Sequence, residues 1–481
     1  MDDLTETAVP SDVSRRAFLK QTGLGITGAS LATMLEARQA PAQIRGTSLR
    51  ILLWSHFVPA YDVWYDQFVK EWGDKNGVRV RVDRIPHLEL PARLAAEFAA
   101  GSGHDVIYNN GTILTGLYHK HLLDVTDISE RLANKFAAGS GHDVIYNNGT
   151  ILTGLYHKHL LDVTDISERL ANKWGGWIPA VVPVSVVEGR WYAIPDYYIL
   201  LPMLWRKDLF DQNGLKPPDT WELARVAART LKAKGHPCGI QFSHCNDANL
   251  NWRSLLASFG GQESDASGQN VLIDSKETRE ALRFAKALFD EGMTPEVFSW
   301  DDASDNRYLA SGVASWIHDA ISAYRTTEDT NPKVFQNTYI ALEPQGAGGK
   351  RVSVANPNVY LIWKFAKNPQ AAKEFLEYLS DNWKDGMIAS RGYNMPFLKD
   401  GYKKPMPVIG TDPKMQVLQD FPNIVGFHGY PGPFTPAIQE VVATFLLPDM
   451  FTRVARGQSP DDAVKWAVGE YRRIYAKYKR A

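Results

Sequence analysis

From residue 49 to residue 122 the apolar residues change their spacing in regular alternation, and that order limits the fold more than any single motif does. Residues 49–54 (LRILLW) are a continuous apolar run suited to a strand buried on both faces. Residues 61–72 follow with Val63, Trp64, Phe68, Val69 and Trp72 at helical spacing, and Gly77 stops that helix. Residues 78–85 (VRVRVDRI) alternate with period two. Residues 90–100 (LPARLAAEFAA) are helical, with Pro91 tolerable in the first turn; 105–108 read as a short strand and 112–122 as another helix. The order β-α-β-α-β-α predicts an α/β fold with a mostly parallel sheet and helices on both faces.

The third strand lies in a segment that is written twice. Residues 98–135 recur unchanged at 136–173, 38 residues in each copy, so HDVIYNNG stands at 104–111 and again at 142–149. The flanks differ: Glu97 against Lys135 before the copies, Phe136 against Trp174 after them. Solenoid repeats diverge while keeping a pattern. These two have not diverged, so a recent tandem duplication or an assembly error explains them better than selection for two units. Sheet position is set by burial of an apolar face, and identical copies cannot bias that choice; only their flanks can. The expectation is that the first copy's strand takes the sheet position and the surplus unit bulges out as helix and loop. Val144, Ile145, Leu152 and Leu155 would then be exposed and stability lowered.

The rest of the chain is read more coarsely. Residues 14–20 (SRRAFLK), the mildly apolar run 23–35 and Ala40-Pro41-Ala42 resemble a twin-arginine signal cleaved near Ala42. The run is too short to span a bilayer, and no Cys near the cleavage point offers a lipid anchor. The mature chain, from about Gln43, is expected to be soluble and periplasmic. With 481 residues there is room for two or three domains, and a formal net charge of −1 gives no general attraction to nucleic acid or anionic lipid. Fourteen Trp and twenty Tyr serve a core or line a cleft. Cys238 and Cys245 are separated by GIQFSH, which alternates like a strand. An extended segment at ~3.3 Å per residue holds their Cα atoms roughly 23 Å apart, whereas a disulfide needs less than about 7 Å. Asp219 or Thr220 is placed to cap a helix; 275–291 and 369–379 read as helices, 313–317 and 352–365 as strands, and 435–481 as mostly helical.

Five segments then fall in a recognisable order: GRWYAIPDYY (189–198), LWRKDLFDQNGLKPPDTWEL (204–223), GVASWIHDAISAY (312–324), WKFAKNPQAAKEFLEYLS (363–380) and SRGYNMPFLKD (390–400). The series, not any one motif, resembles the family 1 extracellular solute-binding proteins, the group that contains maltose-binding protein and many sugar-capturing subunits of ABC importers. The resemblance spans Ser48 to about Tyr478. It implies a two-lobed periplasmic-binding-protein fold of type II, each lobe a mostly parallel sheet flanked by helices, with the ligand cleft between. The first lobe would take 48–200 and 351–400, the second 201–349 and 401–481, with crossings near 198–202, 344–350 and 400–404. It implies a monomer that closes on a solute and delivers it to an ABC permease in the cytoplasmic membrane.

In open α/β sheets ligands bind beyond the carboxyl ends of the strands. Those ends offer Ser55, His56 and Phe57; Asn109 and Asn110 with their copies Asn147 and Asn148; and Asp196, Tyr197 and Tyr198 at the first crossing. The second half offers His244, Asn246, Asp247, Trp252, His318, Asp319 and Ser322, the return strand Asn356 and Asn358, and the loop GYPGPF Tyr430 and Phe434. Rings stack on the C–H faces of a sugar while amides and carboxylates bind its hydroxyls. A neutral sugar, short oligosaccharide or polyol is therefore expected, with no cofactor. The plainer readings are hinge packing for Tyr197 and Tyr198, core for Trp252, a turn for Asn356 and Asn358, and a buried pair for His244 and Cys245. His119 and His121, repeated at His157 and His159, point to different sides of a helix and suit one metal ion poorly. P-loop, G-x-S-x-G and H-E-x-x-H patterns are absent from the sequence. An exported enzyme acting on glycosides would need two carboxylates facing across the cleft, and Asp196 with Asp319 is the pair the sequence offers. Another importer subunit, for polyamines or organophosphates, is the remaining alternative. A phosphate ligand would want clustered Arg, which is sparse at these strand ends.

Overall fold

The computed structural model describes residues 45–85, 106–109, 144–147, 153, 157–362, 364, 366 and 368–478. Among them the strands are β1 (Ser48–Trp54), β2 (Arg79–Ile85), β3 (Val106–Asn109), β4 (Val144–Asn147), β5 (Val186–Val187), β6 (Arg190–Trp191), β7 (Ile194–Ile199), β8 (Met203–Arg206), β9 (Trp316–His318), β10 (Thr338–Ala341), β11 (Ser353–Val354), β12 (Asn356–Ile362), β13 (Met395–Pro396) and β14 (Val425–Gly426). The apolar run at the start becomes β1, with Ile51 and Leu52 fully buried. The helix Pro59–Asn76 follows. It begins on a proline and stops at Gly77, whose φ of 69° is the left-handed conformation that glycine adopts without strain. Tyr61, Tyr65, Phe68, Val69 and Trp72 form its buried face. Among the described residues no helix is long and apolar enough to cross a membrane.

Two sheets organise two lobes. One has seven strands in the order β13-β7-β12-β4-β3-β1-β2, the other three in the order β10-β8-β9. The α/β, two-lobed architecture is as expected, but the strand sense is more mixed. Within the large sheet β2, β1, β3 and β4 are parallel, whereas β12, β7 and β13 join by antiparallel pairing. The three-stranded sheet is antiparallel throughout, and only an isolated bridge from Gly239 to Ile317 adds a parallel neighbour. The cause is connectivity. Helical crossovers return a chain in the same sense, but β7 and β12 belong to segments that travel between the sheets. The chain leaves the large sheet at Ile199 and enters the small one at Met203; it comes back between Ala341 and Asn356.

The repeat overturns the expectation of a displaced unit. Both copies place their strand in the large sheet, side by side and parallel, with each residue abreast of its twin: Val106 with Val144, Ile107 with Ile145, Tyr108 with Tyr146, Asn109 with Asn147. The first copy pairs with β1 and the second with β12. Val144 and Ile145 therefore lie within the sheet and are not cast out; Leu152 and Leu155 lie outside the described residues. The physical reason is that the duplication adds a whole crossover unit. Its connection, residues 110–143, is longer than the dozen or so residues a parallel crossover requires. An added strand of the same sense and face alternation widens a sheet without flipping any other strand. The flanks do place the tail of the second copy. The helix Thr164–Lys173 docks on Pro369–Asp381 through Arg169–Glu377 at 2.7 Å, Lys173–Asp381 at 2.6 Å and Lys373–Asp165 at 2.9 Å. Trp174, just past the repeat, donates its Nε1–H to Asp381 at 2.8 Å.

Around the small sheet lie the helices Trp221–Lys232, Asn246–Ser258 and Lys276–Gly292, with Leu446–Ala455 and Pro460–Tyr478 packed on Lys276–Gly292. Of the two capping candidates, Thr220 caps, accepting the Leu223 N–H at 3.1 Å. The strand read at 352–365 divides at Ala355, so that β11 pairs with β14 and β12 with the large sheet. Cys238 and Cys245 are both free and buried.

Candidate functional site

A cavity opens beside the stretch where the chain crosses from one sheet to the other. Its walls are Trp54, Phe57, Ile199, Leu201, Asn356 and Tyr393 on one side, and Asn246, Asp247, Leu250, Asp302, Asp319, Ala320 and Ser322 on the other. The space between these walls is about 410 Å³ when the open solvent at its mouth is counted. Each wall follows from the topology. Trp54 is the last residue of β1, and Phe57 sits edge-on to it, centroids 4.7 Å apart at 80°. Asn356 begins β12 abreast of Ile199, the end of β7. Because β9 pairs with β8, Asp319 emerges beside the crossing and donates its N–H to the Pro202 carbonyl at 3.2 Å. Asn246 and Asp247 open the helix Asn246–Ser258, and the Asp247 N–H donates to Asp302 Oδ1 at 3.1 Å. That satisfies one of the orphan donors at a helix start with a carboxylate, the sign the helix dipole favours.

The two sides differ in chemistry. The first is largely aromatic and apolar. The second is acidic: Asp247 and Asp319 line it and Asp305 lies behind them, the three offering oxygens within 4.8 Å of one another. Burial pushes the carboxyl of Asp319 up to about 8, and burial together with the neighbouring carboxylates raises Asp247 and Asp305 well above the usual range. Among the described residues the cavity wall contains no lysine or arginine.

Of the residues expected at the ligand, the cavity brings together Phe57, Asn246, Asp319 and Asn356, with Asp247 and Ser322. Most of the other described candidates lie elsewhere. Ser55 is exposed at the end of β1. His56 turns its ring inward: Nδ1 accepts the Val58 N–H at 2.9 Å and Nε2 faces Asn394 Oδ1 at 3.4 Å. Burial lowers its pKa to about 4. His56 and Tyr197 line a second cavity with Tyr61, Tyr65, Asp196 and Tyr360. Tyr198 is packing, its hydroxyl 2.6 Å from that of Tyr402. His244 is exposed and stacked on Phe445, with Nε2 2.6 Å from Asp449. Trp252 is core: fully buried, stacked on Phe451 and donating to the Gln241 carbonyl at 2.8 Å. His318 points away to Glu343, at 2.8 Å. Asn358 is buried within β12 and donates to the Asn356 carbonyl at 3.3 Å. Tyr430 belongs to a third cavity beside Arg253, and Phe434 is buried against His428. Asn109 and Asn147 end β3 and β4; Asn110 and Asn148 lie outside the described residues. His157 begins a short 3-10 turn beside Tyr192, and His119 and His121 are outside the described residues. Asp196 and Asp319 line different cavities, so this pair does not flank a common bond.

Reading strand ends missed Trp54, Asp302 and Tyr393. Trp54 reads as the last residue of an apolar strand. Asp302 and Tyr393 sit in loops, in WDDAS and RGYN, that no strand-end rule reaches. The run of two aspartates after Trp300 was the available signal.

The model of the bacterial extracellular solute-binding proteins matches residues 123–382. A probable ABC transporter-binding protein of Deinococcus radiodurans is 23% identical over 306 residues, 62% of this chain and 72% of that one. A mannitol-binding protein of Pseudomonas aeruginosa is 25% identical over 225 residues, 44% of this chain and half of the other. A maltose-bound protein of T. maritima superposes with a TM-score of 0.68 at 20% identity, covering 89% of this chain and 99% of its own, which is a likeness of fold.

Proposed function

The chain belongs to the bacterial extracellular solute-binding proteins, and from that premise we propose that it is the exported capture subunit of an ABC importer for a neutral sugar or polyol. The carrying observation is the interlobar cavity, with Trp54, Phe57 and Tyr393 facing Asn246, Asp247, Asp302, Asp319 and Ser322. Flat rings match the C–H faces of a polyhydroxylated solute, and carboxylates and amides accept or donate to its hydroxyls. The carboxylates of the wall oppose the anionic group of an organophosphate. The relatedness to a mannitol-binding protein supports the polyol end of the range.

Residues 198–202 and 344–350 act as hinges in this reading, and the lobes close on the solute before it is passed to the permease. The SRRAFLK segment directs the folded chain through the twin-arginine route, with cleavage near Ala42. The test is a panel of sugars and polyols followed by Trp fluorescence and calorimetry, with the solute assayed afterwards. The expected result is saturable binding of at least one neutral member, recovered unchanged. Affinity confined to anions, or the appearance of a product, overturns the reading.

A further inference from the structure

We propose that Asp247, Asp305 and Asp319 hold a divalent cation of the calcium type in the acidic wall of the cleft. Their carboxylate oxygens lie within 4.8 Å of one another. Ion–oxygen distances of about 2.4 Å put opposite ligands of calcium about 4.8 Å apart. The three come from separate elements: the first turn of Asn246–Ser258, the helix Ser304–Ala310 and the loop after β9. The donors that reach them are neutral. Gln241 Nε2 donates to Asp305 and, at 3.3 Å, to Asp247. The Asn306 N–H donates to Asp305 at 3.0 Å and the Ala320 N–H to Asp319 at 2.6 Å. Ionised, a buried group of carboxylates met only by neutral donors is stable only beside a positive charge.

Unpartnered acceptors, two of them outside the carboxylate group, point the same way. Asn246 lines the same cavity, is 9% exposed, and its buried Oδ1 has no hydrogen-bond partner. Asn251, 1% exposed, donates its Nδ2–H to the Gln241 that binds Asp305, and its Oδ1 is likewise without a partner. Asp319 Oδ2 is a third such atom. All three are oxygen acceptors, the atom type that a calcium-type ion takes as ligand. The donor set is oxygen only, the preference of calcium and magnesium over zinc. Asp305 is fully buried and does not line the cavity, so a group touching all three carboxylates lies within the wall and not in the open cleft. The open positions of the ion face the cavity, where adjacent hydroxyls of a solute complete its shell; that last step rests on the proposed function, the ion site does not.

The test uses the full chain stripped with chelator and titrated with calcium chloride alone, by calorimetry, thermal unfolding and terbium luminescence sensitised by Trp54. One ion per chain is expected, with the unfolding midpoint raised by about 3 °C or more at a hundredfold excess over Kd. Magnesium should bind more weakly, and Asp305→Asn should abolish the response. No heat and no shift up to about 10 mM calcium, beyond the weakest extracellular calcium modules, overturns the proposal. An equal response to sodium chloride at matched ionic strength, or a response untouched in Asp305→Asn, overturns it too. If that variant does not fold, the terbium titration of the native chain decides. No solute is present, so the outcome stands apart from the sugar and polyol panel.

Discussion

His56 and Asp196 share a cavity and pull stability in opposite directions with pH. His56 is held at about 4 by burial, below its ordinary 6.5. Between those values the unfolded chain binds the proton that the folded chain refuses, so this group's contribution is full above 6.5 and is lost as pH falls towards 4. Asp196 is only partly enclosed as a residue, but its Oδ2 is sealed from solvent without a partner, and burial pushes the carboxyl up to about 8. Here the folded chain keeps the proton longer, so stability falls as pH rises from 3.8 through 8. Each slope is about 1.4 kcal/mol per pH unit, so the two nearly cancel between pH 4 and 6.5. Replacing Asp196 by Asn should uncover the His56 slope there and stabilise the protein by a few kcal/mol at pH 8. Urea unfolding of both proteins from pH 4 to 9 checks it; parallel curves would refute the assignment. At the cleft, Phe57 is half-buried and packs edge-on to Trp54. Phe57→Ala should weaken solute binding by about 1–2 kcal/mol, roughly tenfold in Kd, with little loss of fold. Calorimetry with the best member of the panel measures it.

At the scale of elements the repeat is the sharpest case. Deleting residues 98–135 or 136–173 yields one and the same sequence, because the copies are identical. In that shorter chain a single strand should take β1 and β12 as its two neighbours, narrowing the large sheet by one strand. The shortened chain should unfold cooperatively and keep its solute affinity, since one complete copy of the unit remains. Circular dichroism melts and calorimetry on the deletion report this, and a chain without a cooperative transition would show that the second unit has become indispensable. A smaller effect is expected at the start of Trp221–Lys232. Thr220→Ala removes the acceptor of the Leu223 N–H and should cost about 1 kcal/mol in chemical denaturation.

For the molecule as a whole, the cleft lies against the short stretch between β7 and β8, where Ile199 and Leu201 form part of its wall. Two sheets joined by such segments can close over a solute by hinge motion. Solution scattering should record a smaller radius of gyration on saturation with the preferred sugar or polyol. An unchanged scattering profile under saturating solute would argue for a preformed, rigid site.

The first strand and helix, the Gly77 stop, the strands β2 and β3 and the ordered series from residue 189 to 400 were legible in the sequence, because period, caps and family pattern are local or cumulative signals; the helices expected at 90–100 and 112–122 lie outside the described residues. The identity of the two copies was legible too, yet not its consequence. Two equal strands have no preference of their own, and the choice between bulging one out and widening the sheet depends on the neighbours β1 and β12 supply. The same limit applies to the cleft. Phe57, Asn246, Asp319 and Asn356 follow from strand and helix ends, whereas Trp252 and His318, chosen for their chemistry, turn into the interior to meet Gln241 and Glu343. Side-chain direction is decided by which element packs on which, and only the tertiary structure brings Asp247, Asp305 and Asp319 to one point.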